Sequence, residues 1–160
     1  PAEVASITVS RPGMTALLGP LHPKDLIDMA HSPAYFTAAG VRDHAFGWVH
    51  ASPEKIADPV IHALIDKVSV GPEPTDNLED YRQGASVSIE TMDGRTVSNT
   101  VFVPKGAGCL GIDWADVDAK FRALAPNAPM SEGQIARSIE LVHDFREISD
   151  LSEFIKGLHT

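Results

Sequence analysis

The sequence is poor in several features that would point to particular classes of protein. Its 160 residues include one cysteine, which excludes an internal disulfide and fits a reducing compartment. Aromatic residues make up only 6%, and no apolar run reaches the roughly 18 residues of a membrane-spanning helix. Acidic residues outnumber basic ones, 22 to 13, and the net charge of −9 argues against nucleic acid or an anionic membrane as the partner. We therefore expect a cytoplasmic protein.

Signatures of common enzyme classes are missing as well. The sequence has no phosphate-binding glycine loop, no His-Glu-x-x-His and no Gly-x-Ser-x-Gly. Gly106-x-Gly108-x-x-Gly111 has the spacing of a dinucleotide loop, but the acidic residue expected about 20 positions on is missing, as is a βαβ context. Among seven histidines, His44 and His50 are close in sequence, yet no ligand spacing recurs. We predict neither a cofactor nor a metal.

The apolar pattern predicts one strand followed by several short helices. Val4–Val9 roughly alternates apolar and polar residues, which favours a strand. Ser32-Pro33, Ser52-Pro53 and Asp58-Pro59 each place a capping oxygen before a proline, which is typical of a helix start. The first of these helices is expected to span Pro33–Val41 and to end near Gly40.

A β-hairpin is predicted over Ala85–Pro104, around Asp93-Gly94. A two-residue turn would set Ile89 opposite Ser98 and mix the two faces of the ladder. A three-residue loop, residues 92–94, sets Ile89 opposite Val97 and gives Gly94 the left-handed position. Because side chains alternate between faces, the pattern favours the three-residue loop.

Three more helices are predicted near the C-terminus, capped by Asp113, Ser131 and Asp150. The expected fold is α+β: a two-layer sandwich with a mostly antiparallel sheet, helices on one face and a helical C-terminal extension. We expect two domains, 1–128 and 129–160. Each of the three helices has an apolar face at helical spacing, formed by Trp114, Val117, Phe121 and Leu124, by Ile135, Ile139, Val142 and Phe145, and by Leu151, Phe154, Ile155 and Leu158.

Three segments together carry a resemblance to a known family. Asp58–Val70 runs from a short helix straight into a strand, Val87–Pro104 is the hairpin with its Asp93-Gly94-Arg95-Thr96 turn, and Asp113–Leu124 contains Lys120-Phe121-Arg122. In this order they resemble the small C-terminal domain of the MmgE/PrpD family, which contains 2-methylcitrate dehydratases and cis-aconitate decarboxylases. The resemblance covers nearly the whole chain.

The resemblance also implies site residues. His31-Ser32-Pro33-Ala34-Tyr35-Phe36 is similar to the family segment that opens the helix facing the substrate cleft. It implies that His31 donates to a carboxylate or carries a proton, and that Tyr35 offers its hydroxyl to a carboxylate or enolate. Ser32 and Arg42 are the candidate substrate-binding residues. The alternative is structural, with His31 as a loop residue before a helix cap and Tyr35 as a core aromatic.

As a function, the resemblance implies lyase chemistry on a di- or tricarboxylate hydroxy acid: dehydration, decarboxylation or epimerisation. Family members have a large helical domain that supplies most acid–base residues and has no counterpart here. We therefore expect a helical catalytic domain or subunit as partner, an inactive isolated chain, and a homo-oligomer. An exposed apolar surface is expected around Ile135–Val142 and Leu151–Leu158.

Two other interpretations stay open. The chain is a non-catalytic dimerisation or interaction domain of the same fold, or it is an enzyme of another class. Pro1 before a strand resembles tautomerases, which use an N-terminal proline as base, although clustered arginines near the start are missing.

Overall fold

A computed structural model describes residues 1–108 and 110–158, without the side chains of residues 153, 154, 157 and 158. The chain divides into two compact units, Pro1–Ala107 and Gly108–Thr160. The predicted division into domains 1–128 and 129–160 stays a prediction. The elements are, in order, β1 (Val4–Ser10), α1 (Leu26–Ala30), α2 (Pro33–Asp43), α3 (Pro53–Ile56), α4 (Pro59–Ile65), β2 (Val68–Val70), β3 (Ala85–Thr91), β4 (Thr96–Val101), α5 (Trp114–Leu124), α6 (Glu132–His143) and α7 (Leu151–Leu158).

The first unit holds a four-stranded mixed sheet in the order β2-β1-β3-β4. β1 pairs in parallel with β2, whereas the β1–β3 and β3–β4 pairs are antiparallel. The four helices α1–α4 connect the two parallel strands, which need a long crossover to run in the same direction. The predicted α+β class is therefore confirmed, with a sheet that is mixed and mostly antiparallel.

One face of this sheet is apolar and the other carries hydroxyl groups. Ile7 pairs with Val68 on one side and Ile89 on the other, which sets three apolar side chains in one row. The next row along, on the opposite face, joins Thr8 to Ser69 and Ser88. Helices cover the apolar face because their own apolar residues need burial there. The resulting core cluster contains Val4, Ile7, Met29, Ala34, Tyr35, Ala38, Ala39, Ile56, Ile61, Leu64 and Ile65.

All three predicted proline-led helix starts are confirmed. The Ser32 hydroxyl accepts from the amide of Tyr35, Ser52 caps α3 in the same way, and the Asp58 carboxylate caps α4. The predicted end of the first helix at Val41 is wrong, because α2 continues to Asp43. The helix passes through Gly40, since glycine permits a helix end without forcing one.

The hairpin has the predicted three-residue loop. Ile89 pairs with Val97 and Glu90 with Thr96, and the Thr91 amide donates to the Arg95 carbonyl oxygen over 2.8 Å, which leaves residues 92–94 as the loop. Gly94 has a φ of 84°, the left-handed conformation that glycine adopts most readily. Side-chain parity along the two strands was sufficient to choose this turn.

The second unit consists of α5, α6 and α7. The predicted Ser131–Gln134 capping box is present, with the Ser131 amide donating to the Gln134 carboxamide over 2.8 Å. The apolar faces of these helices were expected to point inward, and Ile135 and Leu141 are buried, but that expectation is wrong for Trp114, Val117, Leu124, Val142 and Phe145, which are exposed. Three helices without a sheet offer too little surface to bury every apolar face.

Leu151 and Ile155, on α7, are exposed, as expected for the predicted apolar surface. Ile135, which was predicted to belong to the same surface, is buried. The side chains of Phe154 and Leu158 lie outside the described residues. Among the described helices, none is long and apolar enough to cross a lipid bilayer.

Candidate functional site

His31 lies in the short connection between α1 and α2, and its side chain is exposed. Its Nδ1 lies 2.8 Å from the carbonyl oxygen of Ile27. A carbonyl oxygen only accepts, so Nδ1 carries a proton in this contact. The neutral ring then presents Nε2 as a lone pair, and no hydrogen-bond partner of Nε2 is seen in the described part of the chain. His31 is therefore a fixed imidazole with an open basic nitrogen, the form that a proton carrier requires.

Ser32 and Tyr35, the next two predicted residues, are both fully buried. The Ser32 hydroxyl accepts from the Tyr35 amide (3.1 Å) and donates to the Leu21 carbonyl oxygen (3.3 Å). The Tyr35 hydroxyl donates to the carbonyl oxygen of His50 over 2.8 Å. Both hydroxyl groups thus have partners inside the protein. Their roles at a substrate stay predictions, and the geometry gives each a structural task.

Arg42, the fourth predicted residue, lies in the last turn of α2. Arg42 follows Ser32 by ten positions, which corresponds to about 15 Å along a helix axis. Its guanidinium Nη1 lies 3.4 Å from an oxygen of Asp43, and its buried Nε has no hydrogen-bond partner among the described residues. The structure therefore places His31 and Ser32 at the start of α2 and Arg42 in its last turn, while the Tyr35 hydroxyl points inward to His50.

A polar network that the sequence did not reveal surrounds that second end of α2. One oxygen of Asp43 accepts from Lys55 and from His50 Nε2, the latter over 3.1 Å. His50 Nδ1 lies 3.0 Å from the amide nitrogen of Gly47 and 3.2 Å from its carbonyl oxygen, so both ring nitrogens have partners inside the protein. His50 is buried, and the Phe46 ring packs almost parallel to it. This network fastens the segment after α2 and leaves His50 no nitrogen for a substrate.

Two groups in this region have shifted pKa values. The hydrogen bond from Lys55, assisted by its charge and by His50, lowers the pKa of the Asp43 carboxyl against an opposing desolvation. Burial raises the pKa of the Tyr35 hydroxyl, and the negative charges of Asp58 and Asp43 raise it further. Tyr35 therefore stays protonated as a donor, which suits its hydrogen bond to a carbonyl oxygen and does not favour proton transfer near neutral pH.

An open groove of about 350 Å³ lies beside the start of α2. Its lining includes the guanidinium residue Arg11 and also Pro33, which follows His31 by two residues in the sequence. No ion pair of Arg11 occurs among the residues that the structure describes. Arg11 is thus a cation bordering a groove beside the start of α2, and no motif in the sequence pointed to it, because it precedes His31 by twenty residues.

Exposed apolar side chains are concentrated around the same helices. Ile27 lies one turn before His31, and Phe36 follows it on α2, where it meets the edge of Phe46 at a ring distance of 4.9 Å. Exposed apolar residues in such numbers typically mark a surface that another body covers. The set comprises Leu18, Leu21, Leu26, Ile27, Phe36, Phe46, Trp48 and Val49, and we name it the 18–49 surface.

Within the described residues, no group of three or more His, Cys, Asp or Glu side chains could hold a metal ion. The site is therefore built from His31, the Arg11 groove and the 18–49 surface. One exposed imidazole and one cation can bind and orient an anion and exchange one proton. These features define an α+β domain whose polar site opens onto an uncovered apolar surface.

Comparison with known families identifies this class more closely. The family model of the MmgE/PrpD C-terminal domain matches residues 1–144, from β1 through α6. The chain belongs to this family, and the resemblance seen in the sequence is confirmed. No curated protein matches the chain.

Proposed function

We propose that this chain is the small, substrate-covering domain of an MmgE/PrpD-type lyase. It acts on a di- or tricarboxylate hydroxy acid, by dehydration, decarboxylation or epimerisation, together with a separate helical catalytic domain. Membership of the C-terminal domain family over residues 1–144 is the observation that carries this proposal. The expected cytoplasmic location stays a prediction.

The 18–49 surface supports a partner that closes over the site. Its Ile27 and Phe36 lie within five residues of His31, the one predicted residue whose functional group is open, and the surface is apolar where a solvent-facing surface would be polar. A helical catalytic body packed there would exclude water from His31 and Arg11. Water exclusion strengthens the attraction between a cation and a bound carboxylate.

Within this proposal, Arg11 binds a substrate carboxylate and His31 donates to a second one or moves a proton through Nε2. Dehydration and epimerisation require a base for the carbon acid, and dehydration also requires an acid for the leaving hydroxyl group. A single imidazole supplies only one of these groups in a given step. The remaining acid–base residues belong to the helical partner, so the isolated chain binds substrate without turning it over.

The test is a calorimetric titration of the isolated chain with citrate, cis-aconitate and 2-methylcitrate. We expect saturable binding of at least one ligand. His31→Ala and Arg11→Gln should each weaken it about tenfold or more, the size of one hydrogen bond to a charged group. His44→Asn is the matched control, because His44 is exposed at the far end of α2 in a left-handed conformation that asparagine tolerates. Binding that is equally strong in all variants would refute the assignment of this site.

A second candidate is a non-catalytic dimerisation domain, favoured by the exposed Leu151 and Ile155 on α7. No binding of these acids at millimolar concentration, combined with a dimer in sedimentation that dissociates in Ile155→Glu, would support this alternative.

A further inference from the structure

A second group of polar side chains lies in the first unit and takes no part in the proposed site. His22 Nδ1 and His62 Nδ1 are 2.8 Å apart, and His22 Nε2 is 2.9 Å from Asp66 Oδ1. The two ring planes differ by 10°, with centroids 5.1 Å apart. Since the nitrogens are closer than the roughly 3.5 Å contact of stacked faces, the rings meet edge to edge through an N–H···N bond.

The partners at the two ends of this chain of contacts fix its protons. His62 Nε2 lies 2.8 Å from the Ile56 carbonyl oxygen, which only accepts, so this nitrogen carries a proton. One further proton lies between the two Nδ1 atoms, and the negative charge of Asp66 beside His22 favours its place on His22, so that His22 Nδ1 donates and His62 Nδ1 accepts. His22 Nε2 faces a carboxylate, which also only accepts when ionised. His22 therefore needs protons on both nitrogens, and it is an imidazolium paired with Asp66.

The cluster is unsuited to catalysis. Each of the four ring nitrogens already has a partner inside the protein, so none is left for a substrate. In addition, the side chain of His22 remains 43% exposed, so a proton can enter and leave from solvent. When such a group gains or loses its proton, its two contacts inside the protein form or break, so its protonation controls the local conformation.

The segment that these contacts hold is the loop between β1 and α1. Its Leu18 and Leu21 are exposed and contribute little burial. At Gly19, with φ +79°, an added Cβ would stand 1.9 Å from the His31 carbonyl oxygen, so the loop backbone lies directly against the start of α2. The Leu21 carbonyl accepts from Ser32 at the same place. His22 thus joins a loop that rests on α2 to the exposed side of α4.

We propose that His22, His62 and Asp66 form a proton-operated latch that holds the loop 13–22 over the start of α2. The latch is closed when His22 carries two protons and His62 carries one. It does not depend on the proposed lyase function, because His22, His62 and Asp66 are not among the groups assigned to substrate, although the loop that they hold lies against His31 at Gly19 and lines the Arg11 groove.

The direction of the pH dependence follows from the count of protons. The closed latch holds one proton more than a neutral His22 beside an ionised Asp66, so raising the pH opens it. Below that range, a second proton on His62 would set two N–H groups against each other and open the latch from the acid side. The groups facing His22 from α4 and its cap are His62 and Asp66, and its own segment adds Lys24 and Asp25, of which Asp25 caps α1.

The experiment is an NMR titration of the ¹⁵N-labelled chain between pH 5 and 9. Long-range ¹H–¹⁵N spectra of the imidazoles count the protons on each ring nitrogen. We expect a pH range in which His22 shows two protonated nitrogens and His62 shows only Nε2 protonated. The backbone amides of Gly13 and Gly19 should shift with the same midpoint as the His22 ring when the pH rises.

Variants separate the latch from ordinary histidine titration. Asp66→Asn and His62→Gln should each abolish the pH-dependent shift of the loop amides. His143→Gln should leave it unchanged, because His143 is paired with Asp118 in the second unit. If His22 of the wild-type chain carries only one proton throughout this pH range, that result alone overturns the proposal, whatever the variants show. A loop transition that persists with the same midpoint in both latch variants would overturn it equally.

Discussion

Tyr35→Phe tests whether the tyrosine predicted as catalytic is instead a structural residue. The ring is fully buried, so the substitution keeps its packing and removes only the hydroxyl group. That hydroxyl donates over 2.8 Å to the carbonyl oxygen of His50, which lies 15 positions later in the chain. The bond joins α2 to the segment that precedes α3, and we expect its loss to lower the free energy of unfolding.

The expected magnitude follows from the burial of both partners. A protein hydrogen bond contributes about 0.5–1.5 kcal/mol net, and a buried acceptor left without a donor costs about 1–3 kcal/mol. We therefore expect a loss of about 1–2 kcal/mol, a large share of the roughly 5–15 kcal/mol that stabilises a small domain. The affinity for citrate should not change, because the hydroxyl group does not reach the surface.

Urea unfolding followed by circular dichroism measures this loss, because the first unit contains the helices α1–α4, whose signal is lost on unfolding. An unchanged urea midpoint together with weaker citrate binding would refute the structural role and restore Tyr35 to the substrate site.

Three further predictions concern stability and can be checked by urea unfolding. Asp43→Asn should lower the free energy of unfolding at pH 7 and make it depend less on pH in the acid range. The reason is that a carboxyl group with a lowered pKa adds stability above the unfolded value of 3.8, and this stability is lost as the pH falls through the folded pKa. A stability that falls with acid as it does in the wild type would contradict this. Gly84→Ala should cost more than about 3 kcal/mol, because the added Cβ would stand 1.9 Å from the Val101 carbonyl oxygen. Gly133→Ala on α6 meets nothing within 4 Å and should stabilise the protein by up to about 1 kcal/mol. Equal effects of the two substitutions would show that the backbone at residue 84 moves easily. Ser32→Ala should cost about 1–2 kcal/mol through loss of a buried helix cap, and a cost near zero would mean that water replaces the hydroxyl.

Local rules were sufficient for several features of the fold. A capping oxygen followed by proline located three helix starts, because both effects act within one turn of the chain. Alternation along β3 and β4 fixed the register of Ile89 with Val97, since a shift by one residue would exchange the faces of the sheet. The end of α2 was missed because several residues there tolerate a helix, and His44 rather than Gly40 took the left-handed position.

Only some residues of the candidate site could be predicted from the sequence. The motif around His31 could be recognised, and the structure leaves His31 Nε2 open as a proton carrier requires. The structure also showed that the Tyr35 hydroxyl faces inward and that Arg42 lies a helix length from His31. Arg11 had no signal at all, because it reaches the start of α2 through the folding of a loop.

The sequence by itself determined the helix starts, the hairpin register, the α+β class and the family, all of which depend on neighbouring residues or on the order of segments. Tertiary structure alone decided that β1 lies between β2 and β3, that Asp43 meets His50 and Lys55, and that His22 meets His62 across 40 positions. Such contacts form when apolar helices pack on a sheet, and the polar groups that this packing brings together carry no shared spacing in the chain. The physical reason is that the hydrophobic effect is non-directional, so it determines which residues are buried but not which polar groups become neighbours.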